Sequence, residues 1–194
     1  MSNDLKRNPT DNAGVAAKEC EQQTGLPAAL TMAQWALESG WGKHSPGNNC
    51  FGIKLYPGCE SRQLLVTGEW FTPAEAVKFV ASVEGRTALR DAISQPRKDG
   101  RYRYRCQDWF AAFDSLANCF VKHAKLITDG KPYARAWAAF RLLHHDPEQL
   151  ARDIAPIYAT DPDYADKIVS LMNSHRVQIA LNPPGGFPVP PLAA

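Results

Sequence analysis

The sequence predicts a mainly α (α+β) domain, helical with one small β-hairpin lobe, and three observations predict it. Apolar residues recur at helical spacing towards both ends of the chain, as in Leu30, Ala33 and Leu37 or in Leu116, Phe120, Ala124 and Ile127. Between them, Phe51-Gly52-Ile53-Lys54-Leu55 and Gln63-Leu64-Leu65-Val66-Thr67-Gly68-Glu69-Trp70 read as two short extended runs, with Tyr56-Pro57-Gly58-Cys59 turning between them. The 194 residues carry 44% apolar and 22% charged side chains, the balance of a single globular domain large enough for a core.

Composition also excludes. A formal charge of +2 is too small to argue for nucleic acid as a partner and only mildly favours an anionic polymer. No stretch approaches the roughly 18 apolar residues of a membrane span, and the basic N-terminus has no apolar run behind it to make a secretory signal. The five cysteines, Cys20, Cys50, Cys59, Cys106 and Cys119, lack zinc-type spacing. Cys50 and Cys59 flank a short loop and could bridge in an oxidising compartment, although five small buried residues is the favoured reading.

Residues 1 to 12 are expected to be disordered, with Asp11 or Asn12 capping a helix through Ala13 to Cys20 that Gly25 stops. A second helix runs from Pro27 to about Glu38 and ends at Ser39-Gly40. Leu30, Ala33 and Leu37 should face the core, leaving Thr31, Gln34 and Glu38 on the neighbouring stripe. Glu38 then leaves the packed body at the unfavourable end of the helix dipole, flanked by Trp35 and Trp41. Both surroundings disfavour its charge, so it should stay protonated to unusually high pH beside rings on which a sugar can stack. That is what a glycosidase asks of its general acid; a solvated helix-end Glu is the bland alternative.

From Phe71 the chain changes character. Thr72-Pro73-Ala74-Glu75 is a capping box opening a helix through Val80, and a short helix is expected over Arg86 to Ile93. Arg101-Tyr102-Arg103-Tyr104-Arg105 alternates basic and aromatic residues, a pattern that could stack on single-stranded nucleic acid but reads better as a β-edge with its aromatics on one face. Asp114 or Ser115 caps the helix of Leu116 to Ile127, Pro132 starts another through Phe140, and Asp146-Pro147 opens a third. His144-His145 reads as a helix-end pair, because neighbouring histidines cannot share a helix face to hold a metal. Asp161 caps and Pro162 begins the last helix, which carries Ile168, Leu171, Met172, His175 and Ile179. Residues 182 to 194 form a proline-rich, extended tail.

Ala36-Leu37-Glu38-Ser39-Gly40-Trp41-Gly42 with Asn48-Asn49-Cys50-Phe51-Gly52-Ile53-Lys54 resembles the paired signature of the peptidoglycan-hydrolysing endo-β-N-acetylglucosaminidases, glycoside hydrolase family 73. Thr67-Gly68-Glu69-Trp70 resembles the family's Thr-x-Glu-aromatic context, and Tyr158-Ala159-Thr160-Asp161-Pro162-Asp163-Tyr164 its Tyr-Ala-Thr-Asp-Pro segment. Two positions depart from the pattern: Ala111 stands where Phe110-Ala111-Ala112-Phe113-Asp114-Ser115 should carry an Arg, and Ile157 where a Gly is usual. Residues 71 to 105 look like an insertion in a glucosaminidase domain spanning 13 to 181.

The resemblance implies a lysozyme-like fold that cleaves the β-1,4 bond between N-acetylglucosamine and N-acetylmuramic acid in peptidoglycan glycan strands. It implies Glu38 as acid on the helical wall of a cleft, Glu69 as second acid on an opposing hairpin, and Tyr158 as the cleft tyrosine. Trp41, Asn49, Phe51, Trp70 and Tyr164 are then expected to bind substrate. No metal or organic cofactor is required, a monomer is expected, and the site of action is the periplasm or cell wall. With no signal peptide visible, export would use a non-classical route such as phage lysis or a secretion apparatus, unless the sequence starts after a removed segment. The rival readings are a muramidase or lytic transglycosylase, and a non-catalytic module that binds the wall.

Overall fold

The structure is a computed structural model, and it describes residues 8–184 and 186, with His144 described in its backbone alone. The chain divides into two compact units, one drawn from the chain up to Phe51 and from Phe113 onward, the other comprising Gly52–Ala112.

The first unit is helical. Helix α1, Pro9–Thr24, begins earlier than expected because Asn8 rather than Asp11 or Asn12 is its cap, accepting from the backbone N–H groups of Thr10 and Asp11, with Pro9 in the first turn. It ends at Gly25, whose φ of 77° is the left-handed conformation glycine adopts without strain. α2, Ala28–Ser39, follows directly and packs on α1. The helices after Phe113 are α4, Leu116–Thr128; α5, Ala134–Ala139, continuing into a π-turn over Phe140–His144 that His145 closes; α6, Pro147–Tyr158; α7, Tyr164–Met172; and α8, His175–Leu181. Ser115 and Asp146 cap α4 and α6, while Asp161 closes a turn one step before α7 instead of capping it. The single last helix expected from the sequence is two, because Ser174 caps a new helix that starts at His175, its hydroxyl accepting from the Val177 backbone N–H.

α2 is the centre of this unit, with α1, α6, α7 and α8 packed around it. Leu30 and Ala33 of the expected apolar stripe are buried, but the buried surface is wider than that stripe and Leu37 lies outside it. Thr31 and Gln34 are fully buried and Leu37 is 37% exposed, because surrounding helices bury more of α2 than one stripe. α1 and α8 touch so closely at Gly14 that any added Cβ would lie 2.1 Å from the Ala180 carbonyl oxygen.

The second unit is a three-stranded antiparallel sheet in the order β1-β3-β2, with β1 Arg62–Phe71, β2 Thr87–Arg90 and β3 Tyr102–Ala111. Helix α3, Pro73–Ser82, starts at the expected capping box: Thr72 Oγ1 accepts from Glu75 N–H, and Glu75 Oε2 accepts from Thr72 N–H at 2.8 Å. The expected hairpin of residues 51–55 with 63–70 is not formed. β1 pairs with β3 along its whole length, and Lys54 makes only an isolated bridge to Phe110. Residues 86–93 contain strand β2, not a helix, and the Arg-Tyr alternation lies on the central strand, not an edge. Strand alternation sends Tyr104 into a small core with Ala76 and Cys106, against which Phe71 and Phe79 pack, while Arg103 and Arg105 are exposed. Residues 71–105 therefore contribute Phe71, Ala76, Phe79 and Tyr104 to the interior of this unit.

All five cysteines are free, and Cys20, Cys50, Cys106 and Cys119 are buried. Among the described residues, no helix is long and apolar enough to cross a membrane, and no cluster of His, Cys, Asp or Glu could hold a metal.

Candidate active site

Glu38 stands in the last turn of α2, which Gly40 terminates in the left-handed conformation with its N–H on Ala36 O. Ser39 is buried and fixes the exit: its hydroxyl donates to Trp35 O and accepts from Gly42 N–H at 2.8 Å. Gly40, Trp41 and Gly42 are left-handed in succession, with φ of 58°, 62° and 82°. For a tryptophan that conformation is strained, and it persists because Trp41 is gripped on two sides. Its ring meets Trp35 edge-on at 5.9 Å, and the Arg176 guanidinium covers it at 3.7 Å.

Glu38 is an exposed residue, yet partial desolvation of its carboxyl raises its pKa, outweighing a Tyr164 hydrogen bond that lowers it. The direction agrees with the sequence expectation and the cause differs. Trp35 is a core residue, 1% exposed, and the ring bonded to Glu38 is a tyrosine. Tyr164 donates its hydroxyl to Glu38 Oε1 at 3.4 Å and accepts from buried Gln34 Nε2 at 3.2 Å. Gln34 lies one turn before Glu38 on the same helix, so one face of α2 carries both the acid and the group that aims its partner.

Behind Tyr164 lies Tyr158, the two rings stacked at 5.3 Å. The Tyr158 hydroxyl meets His123 Nε2 at 2.9 Å, and His123 stacks on Phe51 at 3.8 Å. Burial pushes His123 down to about 3, so near neutral pH the imidazole is uncharged. Burial also raises both phenols, so they are protonated hydrogen-bonding groups and not bases. Phe51, His123, Tyr158, Tyr164 and Glu38 thus form one continuous run within the helical unit, leading past a neutral core histidine to an exposed acid.

The residues expected to bind substrate differ in how much surface they leave open. Asn49 is 3% exposed and Tyr164 is 4% exposed, and the Tyr164 hydroxyl is bonded to Glu38. Phe51 stacks on His123, and Trp41 has the Arg176 guanidinium over its ring and Trp35 perpendicular to it. In the second unit Trp70 and Glu69 are neighbours on β1, so their side chains leave opposite faces of the sheet. Trp70 is stacked by Arg97 at 3.8 Å, and Glu69 is 32% exposed with Oε1 held by Lys54 at 3.1 Å and by Thr67 Oγ1 at 3.4 Å. Lys54 also reaches Asp108, which Arg86 holds from the other side.

The profile of the family described as glucosaminidase, mannosyl-glycoprotein endo-beta-N-acetylglucosaminidase, matches residues 14–177. The chain belongs to the glucosaminidase family. Its fold is the mainly α, lysozyme-like fold of that family. Among curated relatives, peptidoglycan hydrolase FlgJ of Escherichia coli K12 is 26% identical over 170 residues, which cover 84% of this chain and 44% of the relative. FlgJ of Pseudomonas aeruginosa is 24% identical over 184 residues, covering 91% of this chain and 38% of that one. The chain thus spans less than half the length of these relatives. Among solved glucosaminidase-like structures, the catalytic domain of the autolysin Auto from Listeria monocytogenes superposes with a TM-score of 0.61 at 20% identity, covering 93% of this chain and 89% of that one. The peptidoglycan hydrolase from Sphingomonas sp. A1 gives 0.54 at 25% identity, covering 89% and 91%.

The side chains bonded to partners of the candidate acids, or one contact further out, that the sequence did not single out are Gln34, Arg86, Asp108 and His123. Gln34 carried a signal, standing four residues before Glu38. Asp108 and His123 carried none, since burial of a polar side chain is settled by partners distant in sequence.

Proposed function

We propose that this glucosaminidase hydrolyses peptidoglycan, cleaving the β-1,4 bond between N-acetylglucosamine and N-acetylmuramic acid, with Glu38 as general acid. The observation that carries the reading is the raised pKa of Glu38, a carboxyl set at a helix end and aimed by Tyr164. In the reaction Glu38 gives its proton to the glycosidic oxygen as the bond from that oxygen to the anomeric carbon breaks. The departing sugar keeps the bonding electrons as a hydroxyl. Positive charge at the anomeric carbon is met by the Glu69 carboxylate or by the substrate's own acetamido oxygen. Water then adds at that carbon and returns a proton to Glu38. Tyr158, kept protonated by burial, donates a hydrogen bond in the site and takes no proton. The relatives named as peptidoglycan hydrolases support the substrate class, and the substrate's location makes the periplasm or cell wall the place of action.

Mass spectrometry of fragments released from purified sacculi tests this. Products with reducing N-acetylglucosamine ends are expected. Reducing muramic acid ends would make the enzyme a muramidase, anhydro-muramic ends a transglycosylase, and binding without release a wall-binding module.

A further inference from the structure

The two carboxylates of the β unit that matter most are joined by one lysine. The register places them together: Lys54 bridges Phe110, Leu65 pairs with Asp108, and Thr67 and Glu69 pair with Cys106 and Tyr104. Paired residues share a face, and residues two apart share it too, so Lys54, Thr67, Glu69 and Asp108 all project from the same side of the sheet. The Lys54 ammonium passes over the Phe110 ring at 4.3 Å and bonds Asp108 Oδ2 at 2.7 Å and Glu69 Oε1 at 3.1 Å.

Asp108 is the anchor. Its side chain is 3% exposed, and burial alone would push its carboxyl up; hydrogen bonds from Lys54 and Arg86 override this and hold it below the ordinary range. A carboxylate so buried would draw a lone ammonium wholly to itself, because attraction grows as the dielectric falls. Arg86 prevents that by binding Oδ1, which also accepts from the Trp109 backbone N–H at 2.8 Å. Arg86 is fixed in turn by Ser82 Oγ and the Phe79 ring. Two cations therefore face two anions, and Lys54 keeps a donor for Glu69. On Glu69 both Thr67 and Lys54 converge on Oε1, and among the described residues nothing bonds Oε2.

We propose that Lys54, locked by Asp108 and Arg86, is the positioning residue of Glu69: it grips one carboxylate oxygen and leaves the other turned to substrate. The proposal rests on the role given to Glu69 above. It assigns a purpose to the segment between Phe71 and Tyr102, which supplies Arg86, Ser82 and Phe79 and so steadies the second carboxylate.

The test is steady-state kinetics on soluble glycan fragments with Lys54→Met, Lys54→Arg, Glu69→Gln and the Lys54→Met/Glu69→Gln double variant, with melting temperatures measured alongside. Asp108 keeps Arg86 in all four, so the fold is expected to survive. Loss of one charge-assisted hydrogen bond predicts a kcat about 10- to 100-fold lower for Lys54→Met, with KM little changed. Lys54→Arg should recover part of it, and the double variant should be no slower than Glu69→Gln. A merely structural lysine would lower the melting temperature and leave kcat alone. If Glu69→Gln is impaired while Lys54→Met turns over at the wild-type rate, the clamp is refuted and the role of Glu69 stands. If Glu69→Gln is itself fully active, the role of Glu69 falls, and the clamp with it.

Discussion

At the scale of single residues, the helical unit shows a carboxyl whose pKa is raised by partial desolvation and which accepts a hydrogen bond from Tyr164. Glu38→Gln should fold normally and lose turnover by about 100-fold or more, the range that general acid catalysis supplies. Clearing of sacculi at more than about a tenth of the wild-type rate would remove Glu38 from the role. Tyr158→Phe is expected to lower both turnover and stability. The hydroxyl is the one partner of His123 Nε2, and His123 Nδ1 already has none among the described residues, so the variant leaves a buried imidazole with neither nitrogen paired. Stranding a buried polar group costs about 1–3 kcal/mol, readable in a denaturant titration. Full turnover beside that loss would make Tyr158 structural alone.

At the scale of elements, the outcome depended on whether the signal was local. The capping box of α3 was legible because four consecutive residues contain all its atoms. The structure adds one partner, Arg101, whose guanidinium bonds both Glu75 oxygens and, with the Thr72 backbone N–H, holds the Glu75 pKa down to about 2. A depressed carboxylate pKa adds stability above the ordinary carboxylate range and loses it as pH falls towards 2. The pair is solvent-exposed, so salt screens it. Glu75→Gln should therefore keep the cap and the full hydrolytic rate, while flattening the fall of melting temperature between about pH 4.5 and pH 2. A loss of rate at unchanged stability would place Glu75, not Glu69, at the chemistry. Strand pairing was not legible in the same way. β1 had a turn signal before it, Tyr56 to Cys59, which suggested a hairpin with residues 51–55, but its partner β3 lies beyond α3 and β2. No short window of sequence contains that pairing.

At the scale of the whole molecule, His123 couples the core to pH. It is 1% exposed and burial holds its pKa near 3, against an ordinary 6.5. The folded state thus refuses a proton that the unfolded chain accepts. Its contribution is complete above pH 6.5 and is lost as pH falls from there towards about 3, at about 1.4 kcal/mol per pH unit while the unfolded histidine alone is charged. Unfolding free energies measured between pH 7 and pH 4 should fall more steeply for the wild type than for His123→Phe, which has no proton to refuse. Parallel profiles would show that His123 takes up its proton in the folded protein.

What the sequence determined by itself is what short-range chemistry determines. Gly40 ends α2 just past Glu38, Asp146 and Pro147 start α6, and Thr72 with Glu75 starts α3, all from atoms within a turn of one another. The signature residues around Glu38, Glu69 and Tyr158 likewise belong to continuous segments, and so named the family. Tertiary structure alone decided which side chains lose water. Leu37 is exposed and Gln34 buried because α6, α7 and α8 converge on α2; Trp70 and Glu69 part because β1 is a strand; Asp108 and His123 become polar anchors because distant segments close over them. Burial is a sum over neighbours from the whole chain. A carboxylate or imidazole reveals its pKa and its purpose only when that sum is complete.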